Sequence, residues 1–488
     1  MRKIIENQLK FGQVDISKIK IDIICRDEIP QLLTGLQALY ADKESCNKVF
    51  KILERITPEG VDPKNGRPGM DLWKILVLGN LRLNCNWDYD KLHNIANNHM
   101  NVREFLGHTI YDFDQTYSLQ SLKDNVGLLT PEVLDEISQI TINLGHKIIQ
   151  GNDKDVRLKG RCDSFVLETD VHFPTDVNLL FDAIRKTLSL TAKLCDDLGI
   201  TEWRQYKHIL KKIKKKFNFI RKLKHSSSKD KTKKALREKL IIEAHQEYTD
   251  LVETYVFRAR QSIMTLNELG FAQMAHILMI EKYINDAIRQ IEQIRRRAVN
   301  GETIAHHEKV FSIFEEHTEW ICKGKAGIPQ ELGLGVCILE DQYGFILHHH
   351  VMEKQKDVDI AVLMVAEAKS KVPALTACSF DKGFYNPKNR EQLGNYLDSV
   401  VLPKKGKLSE ADKKIEYSEE FVEARRKHAA VESAINALEN HGLDICPDHG
   451  ITGFKRYVAL AVLARNIQVL GATIRKKQLE KQKRRKAA

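Results

Sequence analysis

Arg161-Cys-Asp-Ser-Phe-Val-Leu-Glu-Thr-Asp170, followed by Val-His-Phe-Pro-Thr-Asp176, is the stretch on which the fold turns. Ser164–Thr169 reads as a strand, and Leu179–Leu190 beyond it reads as a helix. From about Lys186 to Asn300 the chain is charged, helical in period and almost free of Gly and Pro, which predicts a helical insertion and suits a coiled-coil hairpin. Beyond it, Leu334–Leu339 and Phe345–Val351 flank Asp341-Gln-Tyr-Gly344, a hairpin signal. A helix (Ile360–Lys369), a strand (Ala374–Phe380), a short helix (Asn389–Leu397) and a strand (Ser399–Leu402) follow, then helices near Glu419–Glu439 and Lys455–Leu470. Without the insertion the order is strand, hairpin, helix, strand, helix, strand, helix. That order predicts a mixed sheet with helices packed on it.

Upstream, residues 1–65 carry no strong signal. From Gly66-Arg-Pro-Gly69 the pattern turns helical, with Leu72, Ile75, Leu76 and Gly79 on one face and Leu83 extending it. A second helix is expected around Asp90–His99, and a third at Thr130-Pro-Glu132, where Thr caps and Pro takes the first helical position. Short helices with tight connections suit a DNA-binding module and equally suit any helical bundle.

The longest unbroken apolar run, Tyr457–Ala464, is far shorter than a membrane span, and the first residues lack an apolar signal-peptide core. Nine cysteines without a C-x-x-C pair fit reduced thiols in a cytosol. A soluble cytoplasmic protein is expected. His348-His349-His350 has metal-ligand residue types, but consecutive strand residues face opposite ways and cannot all meet one ion. Cys446-Pro-Asp-His449 lacks the second ligand pair of a zinc site.

The 488 residues carry a net charge of +11, and the excess is local. Arg204–Lys239 holds 16 Lys and Arg against two acids, and Arg475–Lys486 holds eight against one. Local basic blocks are what a polyanion reads, with a steep salt dependence from counterion release. Lys211, Lys212, Lys214, Lys215, Lys216, Arg221 and Lys222 are the expected phosphate contacts, and Trp203 is a candidate for stacking on bases.

Three acids stand at telling places. Asp163 begins the first strand, Asp381 ends another at Ser379-Phe-Asp-Lys-Gly-Phe384, and Glu432 lies on a late helix. Phosphodiester chemistry uses such hard oxygen ligands to hold two Mg²⁺ ions. No G-x-x-x-x-G-K-[ST] loop or G-x-S-x-G elbow is present, which disfavours a P-loop ATPase and a serine hydrolase.

From about residue 60 onward the chain resembles the DDE transposases of bacterial insertion sequences, within the ISNCY-like group. Gly66-Arg-Pro-Gly-Met-Asp-Leu-Trp-Lys-Ile-Leu76 is similar to the family's helical leader, which binds terminal repeats. Asp163-Ser-Phe through Asp176 resembles the first-strand motif, Asp381-Lys-Gly-Phe384 the second-acid motif, and Val431-Glu432, with Arg425 and His428 upstream, the third. Phe165 departs from the family's small polar residue. Asp170 stands where Asn is commoner, so Asp170 rivals Asp163 as first acid. The resemblance implies a catalytic triad and metal set of Asp163, Asp381 and Glu432, two Mg²⁺ ions replaceable by Mn²⁺, double-stranded DNA as partner, and a homodimer in a synaptic complex. Lys382, Arg425 and His428 would clamp the scissile phosphate.

The expected architecture is α+β and α-rich. Residues 1–150 form a helical DNA-binding and dimerisation region, and 151–190 with 301–470 a ribonuclease-H-like catalytic domain. Residues 186–300 form the basic insertion and 471–488 a basic tail. The expected activity is transposition by strand cleavage and strand transfer, in a cytoplasmic, nucleoid-associated protein. The alternatives are a ribonuclease-H-like nuclease that does not join, and an inactive transposase-derived regulator.

Overall fold

The computed structural model describes residues 2–5, 8–57, 69–112, 114–151, 156–267, 274–322 and 330–487. Gly66, Arg67 and Pro68 of the leader motif lie outside the described residues. In chain order, helices α1 (Glu28–Ala41), α2 (Lys43–Leu53), α3 (Leu72–Asn84), α4 (Tyr89–Asn98), α5 (Met100–Phe105), α6 (Leu119–Val126) and α7 (Pro131–Gln150) lead to strand β1 (Leu158–Thr169). Helices α8 (Asp176–Asp197), α9 (Tyr206–Lys222), α10 (Lys231–Asn267) and α11 (Met274–Ile294) follow. Then come β2 (Glu319–Cys322), β3 (Gln330–Glu340), β4 (Ile346–Met352), α12 (Asp357–Lys371), β5 (Leu375–Phe380), α13 (Pro387–Gly394) and β6 (Ser399–Val401). Last are α14 (Glu410–Glu416), α15 (Glu419–His428), α16 (Ala430–Leu438), β7 (Ile445–Cys446) and α17 (Gly450–Ala487). The protein is mixed α/β, with a mixed sheet of seven strands among the described residues.

The chain divides into two compact units, Met1–Asp170 with Ile321–Ala488, and Val171–Trp320. In the first, the strand order is β2-β3-β1-β5-β6, with β4 also on β3 and β7 also on β1. β3 runs antiparallel to β1 and β4 antiparallel to β3, while β5 and β7 run parallel to β1 and β6 parallel to β5. β1 is central in the sheet; its buried positions alternate at Leu158, Gly160 and Cys162 and run together at Phe165–Leu167. β5 pairs β1 only as far as Cys162 opposite Phe380, and β7 takes over at Glu168. Between those two pairings, β1 carries Asp163 past the carboxyl end of β5. A crevice outside the carboxyl ends of parallel strands is where α/β sheets place their chemistry.

The N-terminal helices do not form a separate domain, because α17 joins them to the sheet. It packs on α1, α3, α7 and β4, and one core contains residues of all of them, among them Leu36, Leu76, Ile142, Phe345, Val458 and Leu463. Asn466 on α17 is fully buried and saturated. Its amide donates to Ser138 Oγ at 2.8 Å and to Ile346 O at 2.9 Å, and its oxygen accepts from Ile346 N at 2.8 Å. The crossing of α1 and α17 needs two glycines: a Cβ on Gly35 would stand 2.1 Å from Ile467 O, and one on Gly471 2.0 Å from Gln31 O. By length and composition α17 could span a membrane, but 72% of its most apolar window is buried within the protein. Residues 471–487 of the expected tail continue the core helix α17.

The second unit is helical, with its own core, and begins and ends wider than the expected 186–300. α9 buries Ile209, Ile213, Phe217 and Ile220, spaced four, four and three apart, which sets one apolar stripe on an otherwise basic helix. Phe217 stacks on Phe181 at 4.5 Å between centroids.

Candidate active site

Three elements of the first unit bring the predicted acids together. Asp163 lies in the middle of β1, not at its start, and pairs across from Ile338. Asp381 directly follows β5 and caps a 3₁₀ turn, Lys382–Phe384. Glu432 stands in the first turn of α16, which packs on β1. Asp381 and Glu432 are exposed and Asp163 half-buried, so the group opens to solvent.

The Asp163 carboxyl is pushed up from 3.8 to about 6. Burial is the largest cause, opposed by the Ser164 N–H that donates to its Oδ1 at 2.8 Å, and the negative charges of Asp381, Asp357 and Glu432 add to it. The charges of the other three carboxylates thus reach Asp163. None of the four forms an ion pair with a basic side chain among the described residues. Side-chain positions as they stand do not close on one ion: no group of three or more His, Cys, Asp or Glu among the described residues is arranged to hold a metal. Carboxylates without cationic partners among the described residues fit a hard divalent cation in donor chemistry.

Asp170 is exposed and lies beyond the end of β1. It stands seven positions along the chain from Asp163, roughly 23 Å of extended backbone, and its charge is not among those acting on Asp163. Asp163, not Asp170, is the acid that meets Asp381.

His428 ends α15 beside this group, and its Nδ1 lies 3.0 Å from Ser379 Oγ. Burial is the main cause that lowers its pKa, so the ring is neutral near pH 7. The expected cationic clamp is therefore left to Lys382 and Arg425, both exposed. Arg161 ties the strand to the helices: it donates to Asp341 O at 2.7 Å and Lys427 O at 3.4 Å, and pairs with Glu340 at 3.2 Å.

In the second unit, Lys211, Lys212, Lys214, Lys215, Arg221 and Lys222 are exposed on α9, while Lys216 is half-buried and paired with Glu247. Trp203 is not a stacking platform. It is 1% exposed, its Nε1 donates to Ser262 Oγ at 3.0 Å, and Arg258 covers its face at 4.6 Å. Thr175 caps α8, and Asp176 pairs with Arg297 at 3.0 Å. The three histidines of β4 go separate ways: His348 to Lys371, His349 to Asp135, His350 to Gln355. Asp448 pairs with Arg82 and Arg456.

Asp357, the first residue of α12, escaped the sequence reading. An acid at a helix start reads as a dipole partner, and nothing local distinguishes it. No protein family, curated protein or solved structure matches the chain.

Proposed function

We propose that the protein is a DDE transposase of the ISNCY-like kind, with a ribonuclease-H-like catalytic core. The observation that carries this reading is the meeting of Asp163, Asp381 and Glu432, 218 and 51 residues apart in sequence, at the carboxyl end of β5 with no basic partner among the described residues. The strand order supports it: a hairpin antiparallel to the first strand on one side and two parallel strands on the other suits a ribonuclease-H-like sheet.

Two Mg²⁺ ions, or Mn²⁺ in their place, would supply activation of the attacking oxygen and stabilisation of the leaving oxygen. Asp163, Asp381 and Glu432 are the residues that would hold them. Lys382, next to Asp381, and Arg425, exposed on α15, would bind the scissile phosphate. The exposed face of α9 would hold duplex DNA through its backbone, with Lys211, Lys212, Lys214, Lys215, Arg221 and Lys222 as contacts. The protein acts in this reading as a homodimer on paired element ends, in the cytoplasm at the nucleoid.

Strand transfer is the discriminating assay. Protein, pre-cut element-end DNA, a target plasmid and Mg²⁺ should yield covalently joined product, and Asp381→Ala should yield none. Cleavage without joining would replace the reading with a nuclease. Binding without either would replace it with a regulator.

A further inference from the structure

Asp357 reaches two ways from the start of α12. Its Oδ1 accepts from Ser164 Oγ at 2.6 Å. Its Oδ2 fills the space beside Gly383, where an added Cβ would stand only 2.8 Å away. Each contact lands next to one of the predicted acids, Asp163 in one case and Asp381 in the other. Ser164 follows Asp163, and its N–H donates to the Asp163 carboxylate. Gly383 lies in the turn that Asp381 caps, its N–H 3.5 Å from Asp381 Oδ2, and α12 packs on that turn. Asp357 therefore sits between the backbone that carries Asp163 and the backbone that carries Asp381.

We propose that Asp357 is a positioning residue, a brace that holds the Asp163 strand and the Asp381 turn in register so that both acids present their oxygens to one divalent cation. The inference rests on the carboxylate–metal reading above. A third carboxylate placed beside two others, with no basic partner among the described residues, opposes folding through like-charge repulsion. Its two contacts explain the placement: a smaller or apolar side chain would release Ser164 and leave the 382–384 turn without a stop. Gly383 belongs to the same device, since any side chain there would displace the Asp357 carboxylate.

Outer residues that orient metal ligands typically contribute ten- to a hundredfold to affinity. The test is Mn²⁺ binding by the full chain, followed by electron paramagnetic resonance, with thermal unfolding as a folding control. Asp357→Ala should weaken Mn²⁺ binding by about tenfold or more. Asp357→Asn keeps the acceptor for Ser164 and should stay within about threefold of wild type. Gly383→Ala should weaken binding like Asp357→Ala, and the double variant should be no worse than either, because both changes remove one interaction.

Equal losses in Asn and Ala would reduce Asp357 to a charge and overturn the brace. So would full additivity of Gly383→Ala with Asp357→Ala, or wild-type affinity in Asp357→Ala. Wild-type protein that binds no Mn²⁺ would overturn the metal reading itself, and this inference with it. Because Gly383→Ala leaves every carboxylate in place, it keeps the test decisive if Asp357→Ala does not fold.

Discussion

Replacing Asp163 by Asn should make the metal-free protein more stable at pH 8 and leave its stability unchanged at pH 4. The carboxyl rises from 3.8 to about 6 on folding, through burial first and through the charges of Asp381, Asp357 and Glu432. Two pKa units at 1.36 kcal/mol each give about 3 kcal/mol. A carboxyl whose pKa is raised holds its proton more tightly in the folded state, so stability falls as pH rises through the window from about 4 to about 6. Above that window the ionised group opposes the fold by the full amount, and below it by nothing. Asn is neutral throughout and its Oδ1 still accepts from Ser164 N. Partial exposure screens the charge, which brings the expected gain at pH 8 to roughly 1–3 kcal/mol. Urea unfolding of both proteins in EDTA, followed by tryptophan fluorescence, measures it. Added Mn²⁺ should then stabilise wild type and not the variant, since a ligand stabilises only the state that binds it. A variant no more stable than wild type at pH 8, or equally stabilised at pH 4 and 8, would refute the reasoning.

Changing Lys211, Lys212, Lys214 and Lys215 together to Gln should flatten the salt dependence of DNA binding by roughly three to four in log–log slope if all four neutralise phosphates; an unchanged slope would assign α9 to another role. Gly471→Ala should destabilise the first unit by at least about 3 kcal/mol, because the new methyl meets Gln31 O; unfolding by urea reads this, and a loss below 1 kcal/mol would contradict the helix crossing. Trp203→Ala should cost about 3–5 kcal/mol of stability in the second unit by emptying a buried site, with DNA affinity at a temperature where the variant is folded unchanged; a selective loss of single-strand binding would restore the stacking role.

Much of the sheet is legible in the chain. The β3–β4 hairpin shows through Asp341-Gln-Tyr-Gly344, where Gly344 takes φ +86°, and the strand before Asp381 shows through its apolar run. Three other features are not legible, each for a physical reason. Helix α1 buries Leu32, Leu33, Thr34, Gly35 and Leu36 in succession and shows no clean polar face, because it is packed against α17, a partner more than 400 residues away. Trp203 lies among lysines in sequence, yet the 3.6-residue period of α9 turns its apolar residues inward and its lysines out, and Trp203 joins the buried set. Asp357 acquires its place from contacts with Ser164 and Gly383, which only the fold supplies. The choice between Asp163 and Asp170 is of the same kind: seven residues along one strand look equivalent until β5 ends beside one of them.

The most direct test places purified wild type, Asp163→Ala, Asp381→Ala and Glu432→Ala on linear DNA carrying the genomic sequence that flanks the gene, with Mg²⁺ or Mn²⁺, and maps every nick to the nucleotide. The account predicts a nick at the element boundary that leaves a 3′-OH with wild type alone. The same nick made by any of the three alanine variants would contradict it.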